Sequence, residues 1–99
     1  MIYEIRTYNF RPGLAGEWLK RFEEAYSVRQ NYSKLGGMWQ VEIGPVNQVV
    51  HIWRYESLQQ RADTRAAALK DPSGLWPPRG GYDLMLSQEV DILDPVPGM

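Results

Sequence analysis

The sharpest chemical signal in this chain is a histidine preceded by a glutamate on the neighbouring strand-like segment. His51 is the only histidine, and the chain has no cysteine, so it is the one side chain whose ordinary pKa lies near neutrality. In a hairpin, Glu42 lies diagonal to His51, with about 7–8 Å between backbone positions. We therefore predict that His51 is an acid/base catalyst oriented by Glu42. The alternative is a histidine that only packs and hydrogen-bonds within a sheet.

An arginine with acidic and phenolic neighbours forms the second candidate. Glu4, Arg6 and Tyr8 occupy every second position of the first strand-like segment and therefore share one of its faces. The planar guanidinium of Arg6 is suited to bidentate binding of a carboxylate or phosphate on a ligand. The alternative is an ion pair with Glu4, Glu42 or Glu89 that fixes strand or dimer register, because buried charges normally need a partner in the protein.

Aromatic side chains on the same face are candidates for the walls of a pocket. Tyr8, Trp53 and Tyr55 offer apolar rings with polar tips, and Gln40 adds an amide opposite His51. The alternative is that these side chains belong to the sheet core or a dimer interface. Trp76, in a loop rich in glycine and proline, is a candidate lid or dimer contact.

Six predicted elements must position these groups, in the order strand, helix, strand, strand, helix, strand. Their limits are Ile2–Phe10, Leu14–Tyr32, Met38–Ile43, Gln48–Tyr55, a helix from the capping box Ser57–Gln60 to Asp71, and Leu84–Leu93. Spacings of two indicate the strands and spacings of three and four indicate the helices. This order is typical of the ferredoxin-like split βαβ fold, α+β, with both helices on one face of a four-stranded antiparallel sheet.

The residue spacing in the second helix predicts one apolar stripe and one charged face. Leu58, Ala62, Ala66 and Leu69 have the spacing of a buried stripe, as expected for an amphipathic helix. Arg61 and Arg65 lie four residues apart, and we interpret them as part of a solvated face.

The two faces of the sheet differ in character. A tight hairpin at Pro45–Val46 places Trp39 opposite Ile52 on an apolar face and Gln40 opposite His51 on a mixed face. The residues leave open which of these faces the helices cover. The other one is left uncovered, and monomers rarely expose so large an apolar patch. A homodimer in which a second copy covers it is therefore expected.

Composition excludes several classes of protein. The 99 residues suit a single domain over 1–99, and 43% apolar residues exclude global disorder. A net charge of −1 with no basic block argues against nucleic-acid binding. One histidine without cysteine predicts no metal site, and no cofactor is expected. No apolar run reaches the roughly 20 residues of a membrane span, and a strand beginning at Ile2 leaves no room for a signal peptide, so a cytoplasmic location is expected.

Most of the chain resembles the NIPSNAP family. The central signature is Glu-Ile-Gly-Pro-x-Asn-Gln-Val-x-His-x-Trp-x-Tyr over Glu42–Tyr55; further matching segments are Tyr3–Tyr8, Leu35–Trp39, Ser57–Leu58, Arg61, Arg65, Asp71–Pro72, Gln88–Glu89, Ile92–Leu93 and Pro95–Pro97. Ser73–Asp83 carries little of the pattern. The resemblance implies a dimeric α+β barrel in which the sheets of two ferredoxin-like subunits face each other. The wider superfamily includes cofactor-free monooxygenases, haem-degrading enzymes and isomerases.

Two functions follow as hypotheses. The first is a homodimer with a pocket for a small organic molecule, acting as a cofactor-independent enzyme of monooxygenase or isomerase type. The second is a non-catalytic dimeric interaction module in which the same residues only brace the sheet. A cavity of about 300 Å³ or more that touches His51 favours the first hypothesis.

Overall fold

The sheet is organised around its first strand, which pairs on both sides. The structure, a computed structural model, describes residues 1–99 and contains β1 (Ile2–Phe10), α1 (Ala15–Arg29), β2 (Leu35–Gln40), β3 (Gln48–Tyr55), α2 (Leu58–Leu69), a short 3-10 turn (Gly81–Leu84) and β4 (Met85–Leu93). The strand order is β2-β3-β1-β4, and every pair is antiparallel. The predicted ferredoxin-like α+β fold is confirmed. No helix is both long enough and apolar enough to cross a membrane.

The helices begin and pack for different reasons. The buried positions of α1 recur every three or four residues, at Ala15, Trp18, Phe22, Ala25 and Arg29, which fixes one face of the helix against the sheet. At the start of α2, the Ser57 hydroxyl accepts a hydrogen bond from the Gln60 N–H at 3.1 Å. The Gln60 side-chain oxygen accepts from the N–H of Glu56, one residue before the N-cap, so the arrangement is close to a capping box.

The predicted apolar stripe of α2 is wrong. Leu58 and Leu69 are 61% and 59% exposed, and Ala68 is the only buried residue of the helix. The half-buried Arg61 and Arg65 turn toward the sheet instead. The physical reason is a buried carboxylate beneath them, since a buried charge needs counter-charges more strongly than small apolar side chains need burial.

The β2–β3 connection is a longer loop than the predicted hairpin. β2 ends at Gln40, and Trp39 lies opposite Val50 instead of Ile52. Asn47, at a positive φ of 60°, is held by the end of β1. Its carbonyl accepts from the Phe10 N–H at 2.8 Å and its side-chain oxygen from the Gly13 N–H at 3.0 Å. The register is shifted by two positions, which leaves the paired side chains of Met38, Trp39 and Gln40 on their predicted faces.

The helices cover the mixed face of the sheet. Its buried side chains include Glu4, Tyr8, His51, Trp53 and Tyr55. The opposite face, which we call the open face, carries Ile5, Thr7, Val50 and Ile52, all half-buried, and Trp39, which is 54% exposed. The Trp39 ring lies close against Gly37, which has no side chain in its way: a Cβ there would lie 2.6 Å from the ring.

Candidate functional site

A cavity of about 170 Å³ lies between the helix-covered face of the sheet and α1. Five of the seven predicted site residues line it, namely Arg6, Tyr8, His51, Trp53 and Tyr55. Its volume is smaller than the 300 Å³ that we set for a typical ligand pocket. The strands bring the five side chains together because they alternate on one face of adjacent, paired strands.

The hydrogen bond between His51 and Trp53 fixes the tautomer of the buried imidazole. His51 is 2% exposed, and its Nδ1 accepts from Trp53 Nε1 at 2.9 Å. Because an indole N–H only donates, the proton of the neutral ring lies on Nε2. Nε2 is buried and has no hydrogen-bond partner. His51 therefore presents an N–H donor on a side chain that lines the cavity.

The pKa of His51 also indicates a neutral ring that donates a hydrogen bond. Burial and the positive charge of Arg6 lower the pKa of His51 to about 3, while the negative charge of Glu4 acts to raise it. The ring is neutral near pH 7, and its remaining lone pair is already used by Trp53. This arrangement suits a hydrogen-bond donor to a ligand oxygen. The acid/base role of His51 stays a prediction from the sequence.

Two predicted site residues lie outside the cavity. Glu42 is exposed in the loop that follows β2, and Gln40 is exposed at the last position of β2. The predicted pairing of Glu42 with His51 is not formed, because β2 ends before it reaches Glu42 and Trp53 takes the place of the orienting partner.

A buried carboxylate holds three arginines. Glu4 is fully buried and accepts hydrogen bonds from Nε of Arg6 and Nε of Arg61, while Arg65 Nη1 lies 3.8 Å from it. Burial acts to raise the pKa of Glu4, but the hydrogen bonds from Arg6 and Arg61 outweigh it and hold the pKa below its usual value. Arg6 also donates to the Tyr8 hydroxyl at 2.7 Å.

These contacts bear on two interpretations of the sequence. The ion pair between Arg6 and Glu4 forms through Nε, and Nη1 donates to the Tyr8 hydroxyl, while the role of Arg6 as an anion anchor stays a prediction. The interpretation of Arg61 and Arg65 as a solvated face is wrong, since both point at Glu4. We call Glu4 with these three arginines the Glu4 cluster.

One buried arginine was missed by sequence reasoning. Arg29, the last residue of α1, is 2% exposed and has no acidic group within 4.0 Å. Its Nη2 donates to the Tyr55 hydroxyl at 2.8 Å, and its guanidinium lies 4.6 Å from the ring centre of Trp53. Nη1 has no partner. The available signal was its place in the buried stripe of α1, where a charged residue is unexpected.

The loop before β4 supplies the remaining wall. Trp76 packs against Phe22 and Trp53, with ring centres 5.9 and 6.2 Å apart, and lies 5.4 Å from the Arg29 guanidinium. The loop that carried little family pattern is therefore part of the site. No three His, Cys, Asp or Glu side chains cluster in a way that would hold a metal ion.

Comparison with known proteins identifies the relatives of this chain. A family model described as NIPSNAP matches residues 3–98. The protein NipSnap homolog of Dictyostelium discoideum is 38% identical over 71 residues, which make up 72% of this chain and 32% of that protein. The chain thus spans about a third of the length of the curated relatives that it matches.

Solved structures share the whole fold. A NIPSNAP domain protein from Burkholderia xenovorans has a TM-score of 0.87 at 31% identity and covers 100% of this chain and 98% of its own. A NIPSNAP family protein from Agrobacterium tumefaciens has a TM-score of 0.85 at 33% identity, with coverages of 98% and 94%. An antibiotic biosynthesis monooxygenase has a TM-score of 0.71 at 14% identity, with coverages of 98% and 100%, a likeness of fold alone.

Proposed function

This chain belongs to the NIPSNAP family, and we propose that it binds a small organic molecule in the cavity between its sheet and α1. One observation carries the proposal. Two buried donors, Nε2 of His51 and Nη1 of Arg29, belong to side chains that line the same cavity, and neither has a partner. Buried donors without partners are rare and unfavourable, and a ligand that carries acceptor oxygens would satisfy both.

The donors define the chemistry that a cofactor-independent enzyme would perform here. A neutral imidazole N–H fixed by a second hydrogen bond stabilises negative charge that develops on a substrate oxygen, as neutral histidines do in enolisation. Isomerase-like and cofactor-free monooxygenase-like reactions both pass through such an oxyanion. In this proposal His51 stabilises the oxyanion, while Tyr8, Trp53 and Tyr55 shape the site.

A homodimer is part of the same proposal. The open face has no helix over it and exposes the flat ring of Trp39. A second copy packed on this face would bury it, and an interface of the standard kind covers about 1,200–2,000 Å² in total. The cytoplasmic location remains a prediction from the sequence.

The second candidate is a dimeric interaction module without catalysis. Its support is the size of the cavity, about 170 Å³, which is below the range of most ligand sites. The Glu4 cluster also braces α2 against the sheet, a role that needs no ligand.

A fragment screen followed by NMR separates the two functions. The four tryptophans give resolvable indole N–H signals, and three of them, Trp18, Trp53 and Trp76, line the cavity. We expect small carbonyl-containing fragments to shift the signals of Trp53 and Trp76, which flank Arg29, and to leave that of Trp39, on the open face, unchanged. His51→Phe, which keeps a ring but removes both nitrogens, should abolish the shifts. A diverse fragment set that moves neither Trp53 nor Trp76 would favour the interaction module.

A further inference from the structure

We infer that the ligand of this cavity is a small organic anion, a carboxylate on a compact single-ring body, and that Arg29 holds its charge. The inference rests on the proposed function and adds the chemical class of the ligand. It follows from the charge, the geometry and the size of the cavity, which are independent of one another.

The first step is the charge of the cavity. Three arginines, Arg6, Arg29 and Arg65, line it together with one carboxylate, that of Glu4. Glu4 is already shared by Arg6, Arg61 and Arg65. The side chains of the lining therefore leave an excess of two positive charges, and Arg29 is the buried one with no acidic partner. A buried charge without a counter-charge is strongly unfavourable, so the site is incomplete until an anion enters.

The protein itself offsets only part of the Arg29 charge. The carbonyl end of α1 carries a partial negative charge, and the faces of Trp53 and Trp76 attract the cation. Neither supplies a hydrogen-bond acceptor to Nη1, which stays buried and unpaired.

The geometry of Arg29 is that of a preorganised anion binder. Its Nη2 is held by the Tyr55 hydroxyl at 2.8 Å, and two indole rings lie against the guanidinium. These contacts fix the guanidinium plane before a ligand arrives, so little conformational entropy is lost on binding. Charge-assisted hydrogen bonds from arginine to a carboxylate are about twice as strong as neutral ones.

The size and walls of the cavity define the body of the ligand. A cavity of about 150 Å³ lined by apolar side chains holds one benzene molecule, and this cavity measures about 170 Å³. Phe22, Trp53 and Trp76 contribute aromatic walls, which suit a flat ring. The Nε2–H of His51 is then free for a second oxygen of the same ligand.

Binding of benzoate and of its neutral analogue benzamide tests the inference by calorimetry. For the unmodified chain we expect benzoate to bind about tenfold or more tightly than benzamide, because one charge-assisted hydrogen bond distinguishes the two. Arg29→Met should bring benzoate affinity down to that of benzamide. Arg11→Met, which removes an exposed arginine outside the cavity, should leave the preference for benzoate unchanged.

Outcomes separate this inference from the function on which it rests. Equal affinities for benzoate and benzamide would overturn the assignment of an anionic ligand, while the proposal that the cavity binds a small organic molecule would stand. Binding of neither, with no shift of the Trp53 and Trp76 indole signals by any fragment, removes the cavity function as well. If an equal concentration of inorganic phosphate displaces benzoate, the aromatic ring contributes little to binding, and the assignment of an organic ring to the ligand is overturned.

One measurement does not depend on the folding of the Arg29 variant. In the unmodified chain labelled with ¹⁵N, the guanidinium signals of Arg29 should shift with benzoate at concentrations about tenfold lower than with benzamide. Shifts confined to other arginines would contradict the role of Arg29.

Discussion

The unusual state of His51 makes the stability of this protein depend on pH in a defined window. Its pKa is about 3 in the folded chain against 6.5 for an unperturbed histidine. Between these values the unfolded chain binds a proton that the folded chain does not. The free energy of unfolding therefore falls as pH falls, starting near pH 6.5 and levelling off below pH 3.

The magnitude follows from the same two values. Each pH unit within the window lowers the free energy of unfolding by about 1.4 kcal/mol. At pH 5, which is 1.5 units below 6.5, the loss is about 2 kcal/mol. For a domain near 100 residues that corresponds to roughly 8–16 °C in the melting temperature.

The assay compares thermal or urea unfolding of the unmodified chain and of His51→Phe at several values between pH 5 and 7.5. The variant removes the titrating group. The variant is less stable at every pH because Trp53 Nε1–H loses its acceptor. The two proteins are therefore compared by how steeply the free energy of unfolding changes with pH, not by its absolute value. The lower limit of pH 5 keeps the titration of carboxylates out of the window.

Parallel curves for the two proteins would refute the reasoning. They would mean that the folded chain protonates His51 near its ordinary pKa and that Nδ1 is not committed to Trp53. A direct check is the ring C–H chemical shift of His51, which should not titrate above pH 5 in the folded protein.

Two further predictions concern the Glu4 cluster and the open face. Glu4→Gln should lower the free energy of unfolding, measured in urea, by about 3 kcal/mol, because it removes the buried carboxylate that three half-buried arginines share. The exposed control Glu42→Gln should change it by less than about 0.5 kcal/mol, and similar effects of both would contradict the bracing role of Glu4. Light scattering of the unmodified chain should give twice 11.5 kDa; Trp39→Glu should shift the mass toward one chain, and Leu58→Glu, on the outer side of α2, should not. A stable monomer of the unmodified chain at micromolar concentration would rule out the dimer.

The fold was predictable because its information is local and periodic. Alternation in β1 and β3 and the spacing in α1 determine the elements and the sides of the sheet, and a register error of two residues leaves those sides intact. The extent of β2 was less predictable. It depends on Asn47, which bonds to the end of β1 and not to a strand neighbour, a contact between distant parts of the chain.

The candidate site was predictable only where it lies on the paired strands. Arg6, Tyr8, His51, Trp53 and Tyr55 share one face by alternation. The hydrogen-bond partner of His51 was not predictable, since Glu42 reaches it only across a strand pair whereas Trp53 lies two residues along the same strand. The early end of β2, which removes Glu42 from the sheet, decides between them. Arg29 and Trp76 approach from a helix end and a loop, where tertiary packing decides the position.

The way in which α2 is attached has a consequence for the motions of the molecule. Because Ala68 is its only buried residue and Arg61 and Arg65 reach the sheet through Glu4, little hydrophobic free energy holds this helix in place. Local opening requires little more than the transfer of two ion pairs into water, whereas opening of α1 exposes Trp18 and Phe22 as well. Segments with few buried apolar contacts open at free energies far below that of global unfolding. Amide hydrogens of α2 should therefore exchange with solvent well before those of α1.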